Sequence, residues 1–445
     1  MLFSLKKINS ILGINKDIIW SIYNKLWTAV KGPLTVVFII KFLELNEQGL
    51  WYTFISLGAL KVFAELGFTS IITQFVSHEF SKLYRKNNET DFTSPNSDKF
   101  FSLIRFSIRL YIIIIPVAII AMIVIGAIYF KNENRNILYI WTIFSLIGGL
   151  TLLLSLFQAI YKGLDKVKVI EKNILLGSFG MGIGNLIFLS LNFKLWTLVL
   201  SNGIGLFLML YNLYRIDIEF WQLVFSHKFK KQFKWGKEII NLQWRYAVSW
   251  ASGYFIFNLI IPVLYKYESA IVAGKYGITF AIISAAIGVS QAWTVTKIPK
   301  FNMLIAKNEK NKFNTFFKKS LLQSLTIQLF ISLFLVILFF IFSKLDVFSE
   351  RFLGLEYIII LLLIQIPIQI VNILAIYLRA HKEEPYMVYS IINALFLVLG
   401  LFLVLKNYDL YYFLGYLLII YFIVLLPYAL YVFYKKKNEF STRYF

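Results

Sequence analysis

The chain has 445 residues, of which 59% are hydrophobic and only 15% are charged, and it contains no cysteine. A soluble protein of this length exposes much more polar surface, so the composition indicates a membrane protein and excludes an ordinary soluble domain. The formal charge of +22 does not indicate nucleic-acid binding, because the basic residues lie in short segments beside apolar stretches, where they contact anionic lipid headgroups. The lack of cysteine excludes disulfides and thiol catalysis.

Twelve apolar stretches follow one another along the chain, each long enough to cross a bilayer as a helix of roughly 20 residues. Continuous apolar runs such as 110–121 and 329–342 do not alternate in polarity, which favours helices over the strands of a barrel. No cleavable signal pattern precedes the first stretch, so we expect it to be retained. The predicted spans are 18–42, 50–77, 106–130, 138–161, 170–191, 195–213, 240–264, 269–296, 320–343, 352–378, 386–405 and 409–433.

Lysines and arginines fall mainly into every second gap between the predicted spans. This bias places the basic gaps in the cytoplasm, by the rule that cytoplasmic loops carry the excess of positive charge. Because the number of spans is even, we expect both termini on the cytoplasmic side.

The longest basic segment, at 215–239, divides the twelve predicted spans into two sets of six. Its aromatic residues lie among lysines, which indicates an amphipathic linker at the membrane surface. A short sequence match joins 159–166 to 375–382 at the ends of corresponding spans, and another joins 49–51 to 274–276. These matches indicate that one six-helix unit was duplicated.

We therefore predict an all-α polytopic membrane protein with about twelve transmembrane helices in two six-helix lobes around a central cavity. In transporters with such repeats, substrate binds between the halves, and rocking of the halves gives alternating access. The predicted divisions are an N-terminal lobe at 1–214, the basic cytoplasmic linker at 215–239, a C-terminal lobe at 240–434 and a basic cytoplasmic tail at 435–445.

Several basic residues lie inside predicted spans, where a charge costs about 2.5–3.5 kcal/mol on insertion scales. Lys31 and Lys61 lie roughly 20 and 16 Å into their spans at about 1.5 Å per residue. At that depth they cannot comfortably reach either surface by extending their side chains. The other three lie nearer span ends, where contact with the membrane surface is an equal alternative. The predicted cationic cavity residues are Lys31, Lys61, Arg245, Lys275 and Lys25.

Polar residues recur at helical spacing in the first span of each half, as expected for a helix with one face toward water. The predicted polar residues of the cavity are Asn24, Thr28 and Thr35 in span one, and Asn241, Ser249 and Ser252 in span seven. Cations outnumber the single Glu65 in these helices, so the cavity should attract an anion. A diphosphate fits, because several ammonium groups can share its charge without a metal.

Lys61 and Glu65 stand four residues apart and can pair along one helix. Such a pair can also be a self-neutralised structural feature that lowers an insertion cost. Catalytic signals are weak: the acidic residues of the outer gaps are scattered, no histidines stand at metal-ligand spacing, and no phosphate-binding glycine loop is present. We predict no catalytic residues, no metal, no cofactor and no enzymatic activity.

The run Phe-Ala-Glu-Leu-Gly-Phe at 63–68, followed by Gln-Phe-Val-Ser-His-Glu at 74–79, resembles the Wzx-type O-antigen and polysaccharide flippases. These lipopolysaccharide biosynthesis proteins belong to the multidrug/oligosaccharidyl-lipid/polysaccharide (MOP) exporter superfamily. The stretch at 158–165 is similar as well. The likeness in length, spans and lobes covers the whole chain, whereas the residue-level likeness is concentrated in spans one and two and the loop after span four.

The resemblance implies a bacterial inner-membrane protein that moves an undecaprenyl-diphosphate-linked oligosaccharide from the cytoplasmic to the periplasmic leaflet. It implies that Lys31 and Lys61 receive the diphosphate, with Arg245 and Lys275 as partners from the second lobe. Glu65 would gate the cavity or couple flipping to an ion. Membrane lipids, a polysaccharide polymerase and the export machinery are the implied partners, and nucleic acid is not one.

Two alternatives remain open. An exporter of another solute from the same superfamily needs an acidic cation site, for which Glu65 alone is available. A membrane polysaccharide polymerase, which is an enzyme, needs functional residues in its outer loops.

Overall fold

The protein is helical almost throughout. The computed structural model describes residues 16–83, 85–86, 89–90, 97–229, 233–295, 297–306, 309–344, 350–381 and 386–442. In the first half the helices are α1 (Lys16–Phe42), α2 (Leu45–Gly58), a 3₁₀ turn (Ala59–Lys61), α3 (Val62–Glu65), α4 (Phe68–Ser81), α5 (Ser97–Tyr129), α6 (Arg135–Gly163), α7 (Val167–Ser190), α8 (Trp196–Ile216) and α9 (Ile218–Ser226).

The second half continues in the same way, with two short π-helical segments near its end. Its elements are α10 (Trp235–Asn258), α11 (Ile260–Tyr267), α12 (Ala270–Val295), α13 (Ile298–Ala306), α14 (Lys310–Phe342), α15 (Leu355–Ala380), α16 (Met387–Gly400), the π segment Leu401–Leu405, α17 (Leu410–Ile419), the π segment Ile420–Leu425 and α18 (Leu426–Thr442). Among the described residues, the strands are the two-residue β1 (Arg85–Lys86) and β2 (Glu89–Thr90), which pair antiparallel.

Ten of the twelve predicted spans have the length and composition that cross a membrane. Within the described chain, nine are uninterrupted stretches by this test, and the tenth is a bent pair formed by Leu45–Glu65 and Phe68–Ser81. The other two predicted spans correspond to α1 and to α10 with α11, which are helical but are not among the spans that this test selects within the described residues. The all-helical, multi-pass architecture predicted from hydropathy is confirmed.

The second predicted span is broken rather than continuous. Leu66 and Gly67 have φ angles of 46° and 74°, so two consecutive left-handed residues end α3, and the chain turns by 45° before α4. A leucine in this conformation costs roughly 1–2 kcal/mol, whereas glycine adopts it freely. Gln243 Nε2 on α10 donates to the carbonyl oxygens of Leu66 at 3.1 Å and Glu65 at 3.4 Å. These bonds satisfy carbonyls that the break releases from the helix.

The described residues form two compact units. The first comprises the chain up to Leu43 and from Leu57 to Ala251, and the second comprises Glu44–Ser56 and the chain from Ser252 onward. The segment 215–239, predicted as a linker, lies within the first unit. Helices α2 and α10 each contribute residues to both units.

In the first unit, α9 is fixed to the ends of the long helices. Arg105 on α5 donates three hydrogen bonds of 2.7 Å to the carbonyl oxygens of Val224, Phe225 and His227. Trp221 Nε1 on α9 donates to the hydroxyl of Tyr161 at 3.1 Å. The C-terminal carbonyls of a short helix, which have no partner within it, are thereby satisfied.

In the second unit, the first part of α2 packs against α12 through glycines. A Cβ on Gly49 would lie 2.0 Å from the carbonyl oxygen of Ala270, and one on Gly274 would lie 2.8 Å from the amide nitrogen of Gly49. The backbones therefore meet directly. Further along α2, the Ser56 hydroxyl donates to the Asn258 carbonyl at 2.7 Å.

Candidate functional site

Lys31 lies in the interface between α1 and α7 of the first unit. Its Nζ donates to Ser178 Oγ at 3.2 Å, and its side chain is partly buried. A Cβ on Gly182, one turn further along α7, would lie 2.8 Å from Lys31 Cδ and 2.7 Å from the ring of Trp27. The lysine stem therefore runs through space that only a glycine leaves open.

The predicted polar residues of α1 do not all have the same kind of hydrogen-bond partner. Asn24 Nδ2 donates to the backbone oxygen of Glu171 at 2.8 Å and to its carboxylate at 2.7 Å. Asn24 and Lys31 each meet the residue 147 positions later, so one register relates the two helices at both contacts. Thr28 donates to the carbonyl of Asn24 at 2.8 Å. The hydroxyl of Thr35 is buried and has no hydrogen-bond partner among the described residues.

Lys61 and Glu65 form a second polar cluster, against α6. Lys61 Nζ donates to Thr151 Oγ1 at 2.9 Å, and Ser155 Oγ donates to Glu65 Oε1 at 2.9 Å. Both contacts join residues 90 positions apart, because the two pairs stand four residues apart on their own helices. The hydroxyl of Tyr111 on α5 also donates to Glu65 Oε1, at 2.8 Å.

Lys61 and Glu65 interact electrostatically without direct contact. Glu65 is the charged group that acts on Lys61, but each side chain bonds to a hydroxyl instead of to the other. The cluster lies beside the break at Leu66–Gly67, where Gln243 joins α10 to it. Helices α5 and α6 therefore contact the Glu65 carboxylate on α3, while α10 contacts the backbone carbonyl of the same residue.

The two partly buried lysines each have N–H donors that form no hydrogen bond with the described residues. An ammonium group has three N–H donors, and Lys31 and Lys61 each use one on a neutral hydroxyl. Neither forms an ion pair within 4 Å with any carboxylate in the described part of the chain. An arrangement of this kind can bind an anion, because the positive charge is not neutralised by contact.

The remaining predicted residues are placed less fully. The side chains of Lys25, Asn241, Arg245 and Ser249 lie outside the described part, although their backbones belong to α1 and α10. Arg245 lies in the portion of α10 that belongs to the first unit, whereas Ser252 is buried in the second. Lys275 on α12 is partly buried and forms no hydrogen bond or ion pair with the described residues.

Sequence reasoning missed the hydroxyl and amide partners of these charges. They are Tyr111, Thr151, Ser155, Ser178 and Gln243. The sequence gives one indication of these partners: Thr151 and Ser155 stand four residues apart, as Lys61 and Glu65 do. No group of three histidine, cysteine, aspartate or glutamate side chains that could hold a metal occurs among the described residues.

The sequence matches no protein-family model and no curated protein. The structure, in contrast, is similar to solved structures of membrane transport proteins over most of its length. An inward-facing multidrug resistance MATE family transporter of the MOP superfamily matches with a TM-score of 0.68 at 12% identity, covering 94% of each chain. The lipid II flippase MurJ in an inward closed conformation matches with a TM-score of 0.66 at 14% identity, covering 93% of this chain and 87% of that one.

A MATE structure in a bent conformation also matches, with a TM-score of 0.54 at 11% identity and 95% coverage of each chain. Identities this low establish a shared fold, not a shared substrate. The protein therefore has the two-lobed, all-helical fold of MATE transporters and MurJ, as the resemblance to the MOP superfamily predicts.

Proposed function

We propose that the protein is a flippase that carries an undecaprenyl-diphosphate-linked oligosaccharide, an O-antigen or other surface-polysaccharide repeat unit, across the bacterial inner membrane by alternating access. The observation that supports this most directly is the pair of partly buried lysines, Lys31 and Lys61, whose hydrogen bonds within the described residues are to neutral hydroxyls. The similarity to the fold of a lipid II flippase supports a lipid-linked substrate.

In this proposal, Lys31 and Lys61 bind the diphosphate, with Lys25, Arg245 and Lys275 as further cations. The predicted polar residues of α1 and α10 line the same path. Glu65 controls the break beside it, since its carboxylate holds Tyr111 and Ser155 while its carbonyl accepts from Gln243. A change in the charge of the Glu65 carboxylate would alter its contacts to two helices, α5 and α6, which is the kind of arrangement that gating or ion coupling uses.

The first prediction concerns these two lysines. Lys31→Gln and Lys61→Gln should each lower transport of the lipid-linked oligosaccharide about tenfold to a hundredfold, since a hydrogen bond to a charged group contributes about 1.5–3 kcal/mol. Translocation is measured in proteoliposomes by the accessibility of the saccharide to an external oxidant or lectin. Lys41→Gln is the matched control, because Lys41 is exposed on the last turn of the same helix. Full activity of both interior variants would refute the diphosphate role.

A second candidate function is export of a cationic solute, which the similarity to a multidrug resistance transporter favours. That function depends on a carboxylate rather than on lysines. Glu65→Gln would then abolish efflux of a cationic dye such as ethidium, whereas Lys31→Gln would leave efflux unchanged. Dye efflux that depends on Glu65 but not on the lysines would refute the flippase proposal and support export of a cationic solute.

A further inference from the structure

The second unit contains a cavity of about 290 Å³ between α10, α11, α12, α15 and the last helices. Polar and aromatic side chains share its wall: Tyr276, Phe280, Ser284, Gln291, Gln365 and Asn372. No lining residue of this cavity carries a formal charge. Its volume is just below the roughly 300–1,000 Å³ typical of small-ligand sites.

Gln365 is the most informative residue of the wall. It lies in the middle of α15 and is only 9% exposed, yet its amide forms no hydrogen bond with the described residues. Residues 361, 364, 365, 368 and 372 follow the helical period, so one face of α15 is directed at the cavity. The amide is therefore directed into the space that a ligand or water would fill.

Two further amides lie in the same wall without a protein partner. Gln291 on α12 and Asn372 on α15 form no hydrogen bond within the described part of the chain. Elsewhere in the same unit, Gln369 Nε2 donates to Ser324 Oγ at 2.9 Å, whereas Gln369 Oε1 and both amide atoms of Gln328 are buried without a partner among the described residues. Gln291, Gln365 and Asn372 differ from these amides in that they line the cavity, where a bound molecule can complete their hydrogen bonds.

The chemistry of the wall selects among ligand classes. An amide offers both donors and acceptors, which matches a hydroxyl group, since a hydroxyl also donates and accepts. Tyr276 and Phe280 are stacked, with centroids 5.6 Å apart and planes inclined by 12°, and supply an apolar surface for the C–H face of a sugar ring. A cation would find no carboxylate in the wall and an anion no ammonium group, while an apolar ligand would leave the amides unpaired.

We propose that this cavity is a saccharide subsite that holds one uncharged sugar ring of the transported glycolipid. The inference rests on the proposed flippase function and assigns a different part of the substrate to each unit. Cationic side chains of the first unit bind the diphosphate, and neutral amides of the second unit bind a sugar.

The test compares two lipids on the purified full-length protein: bare undecaprenyl diphosphate, and the same lipid carrying one glucose, galactose, N-acetylglucosamine or N-acetylgalactosamine. Binding is measured by native mass spectrometry. For the glycolipid that the wild-type protein binds best, Gln365→Leu and Gln291→Leu should each lower affinity about three- to tenfold, since a neutral hydrogen bond contributes about 0.5–1.5 kcal/mol. Affinity for the bare lipid should not change.

Controls separate this subsite from the diphosphate site. Gln222→Leu, an exposed amide on α9 of the other unit, should alter neither affinity, whereas Lys31→Gln should lower both. Gln291 is only partly buried, so its variant tests the proposal even if Gln365→Leu does not fold. An unchanged preference for glycolipid over bare lipid in both glutamine variants would show that the cavity holds only solvent. If the wild-type protein binds neither lipid, the flippase proposal itself is refuted.

Discussion

At the scale of single residues, the interior charges of the first unit are held by neutral groups. Lys31 bonds to Ser178 and Lys61 bonds to Thr151, with no contacting carboxylate in the described chain. A directly bonded ion pair would have offset part of the free-energy cost of burying each charge. It would also have neutralised the charge, so that the site would no longer attract an anion. Hydroxyl partners orient each ammonium group and leave its charge available.

The position of Lys31 depends on Gly182, which leads to a prediction. Gly182→Ala places a methyl group 2.8 Å from Lys31 Cδ and 2.7 Å from the Trp27 ring, so the lysine must leave its contact with Ser178. We expect transport to fall about fivefold, which corresponds to about 1 kcal/mol. Transport in proteoliposomes measures this effect.

Gly203→Ala on α8 is the matched control, because its new methyl group would be 3.6 Å from Ile147, an ordinary contact distance. It should transport as the wild-type protein does. Equal activity of the Gly182 and Gly203 variants would mean that the placement of Lys31 does not matter for transport.

At the scale of elements, hydropathy predicts where helices lie but not where they break. The run 50–77 carries no charge apart from Lys61 and Glu65, and nothing in its periodicity indicates where the helix ends. The break at Leu66–Gly67 is stabilised by Gln243, which lies on a helix far along the chain and donates hydrogen bonds to the carbonyls that the break releases. The sequence contains the glycine that permits the turn, but the partner that stabilises it is known only from tertiary structure.

The break itself can be tested by stability. Gly67 has a φ angle of 74°, so Gly67→Ala should lower the free energy of unfolding by about 1 kcal/mol, because a Cβ is disfavoured in the left-handed region. Reversible unfolding in mixed micelles measures the change. Gly236→Ala in α10, where the new methyl group would meet no atom of another described element within 4 Å, should instead be neutral or stabilising. A stability gain from Gly67→Ala would contradict the left-handed turn.

At the scale of the whole molecule, the number and order of spans follow from composition, since about 20 apolar residues suffice to specify a crossing helix. The division into units was harder to anticipate. Residues 44–56 pack with the second unit because Gly49 permits backbone contact with Ala270. Likewise, the stripe of α1 was predicted to face a cavity, while two of its members, Asn24 and Lys31, bond to α7. Periodicity identifies a polar face but not the surface opposite it.

The distribution of basic residues along the chain also predicts how the whole molecule is oriented in the membrane. The bias of lysines and arginines toward alternate gaps predicts that the segment containing Ser226 is cytoplasmic and that the turn containing Asn407 is periplasmic. Because the chain has no cysteine, a single introduced thiol can report its side without background labelling. Both positions are exposed, which makes them accessible to reagents in solution.

We therefore expect Asn407→Cys to react with a membrane-impermeant maleimide in cells whose outer membrane alone is permeable. Ser226→Cys should react only after the inner membrane is also opened. The cysteine-free wild-type protein, carried through both treatments, gives the background of the assay. The opposite pattern would reverse the direction of transport assigned to the protein, because the cationic segments would then face the compartment into which the glycolipid is delivered. Labelling of both positions from outside would place an even number of crossings between them and contradict the five spans predicted there.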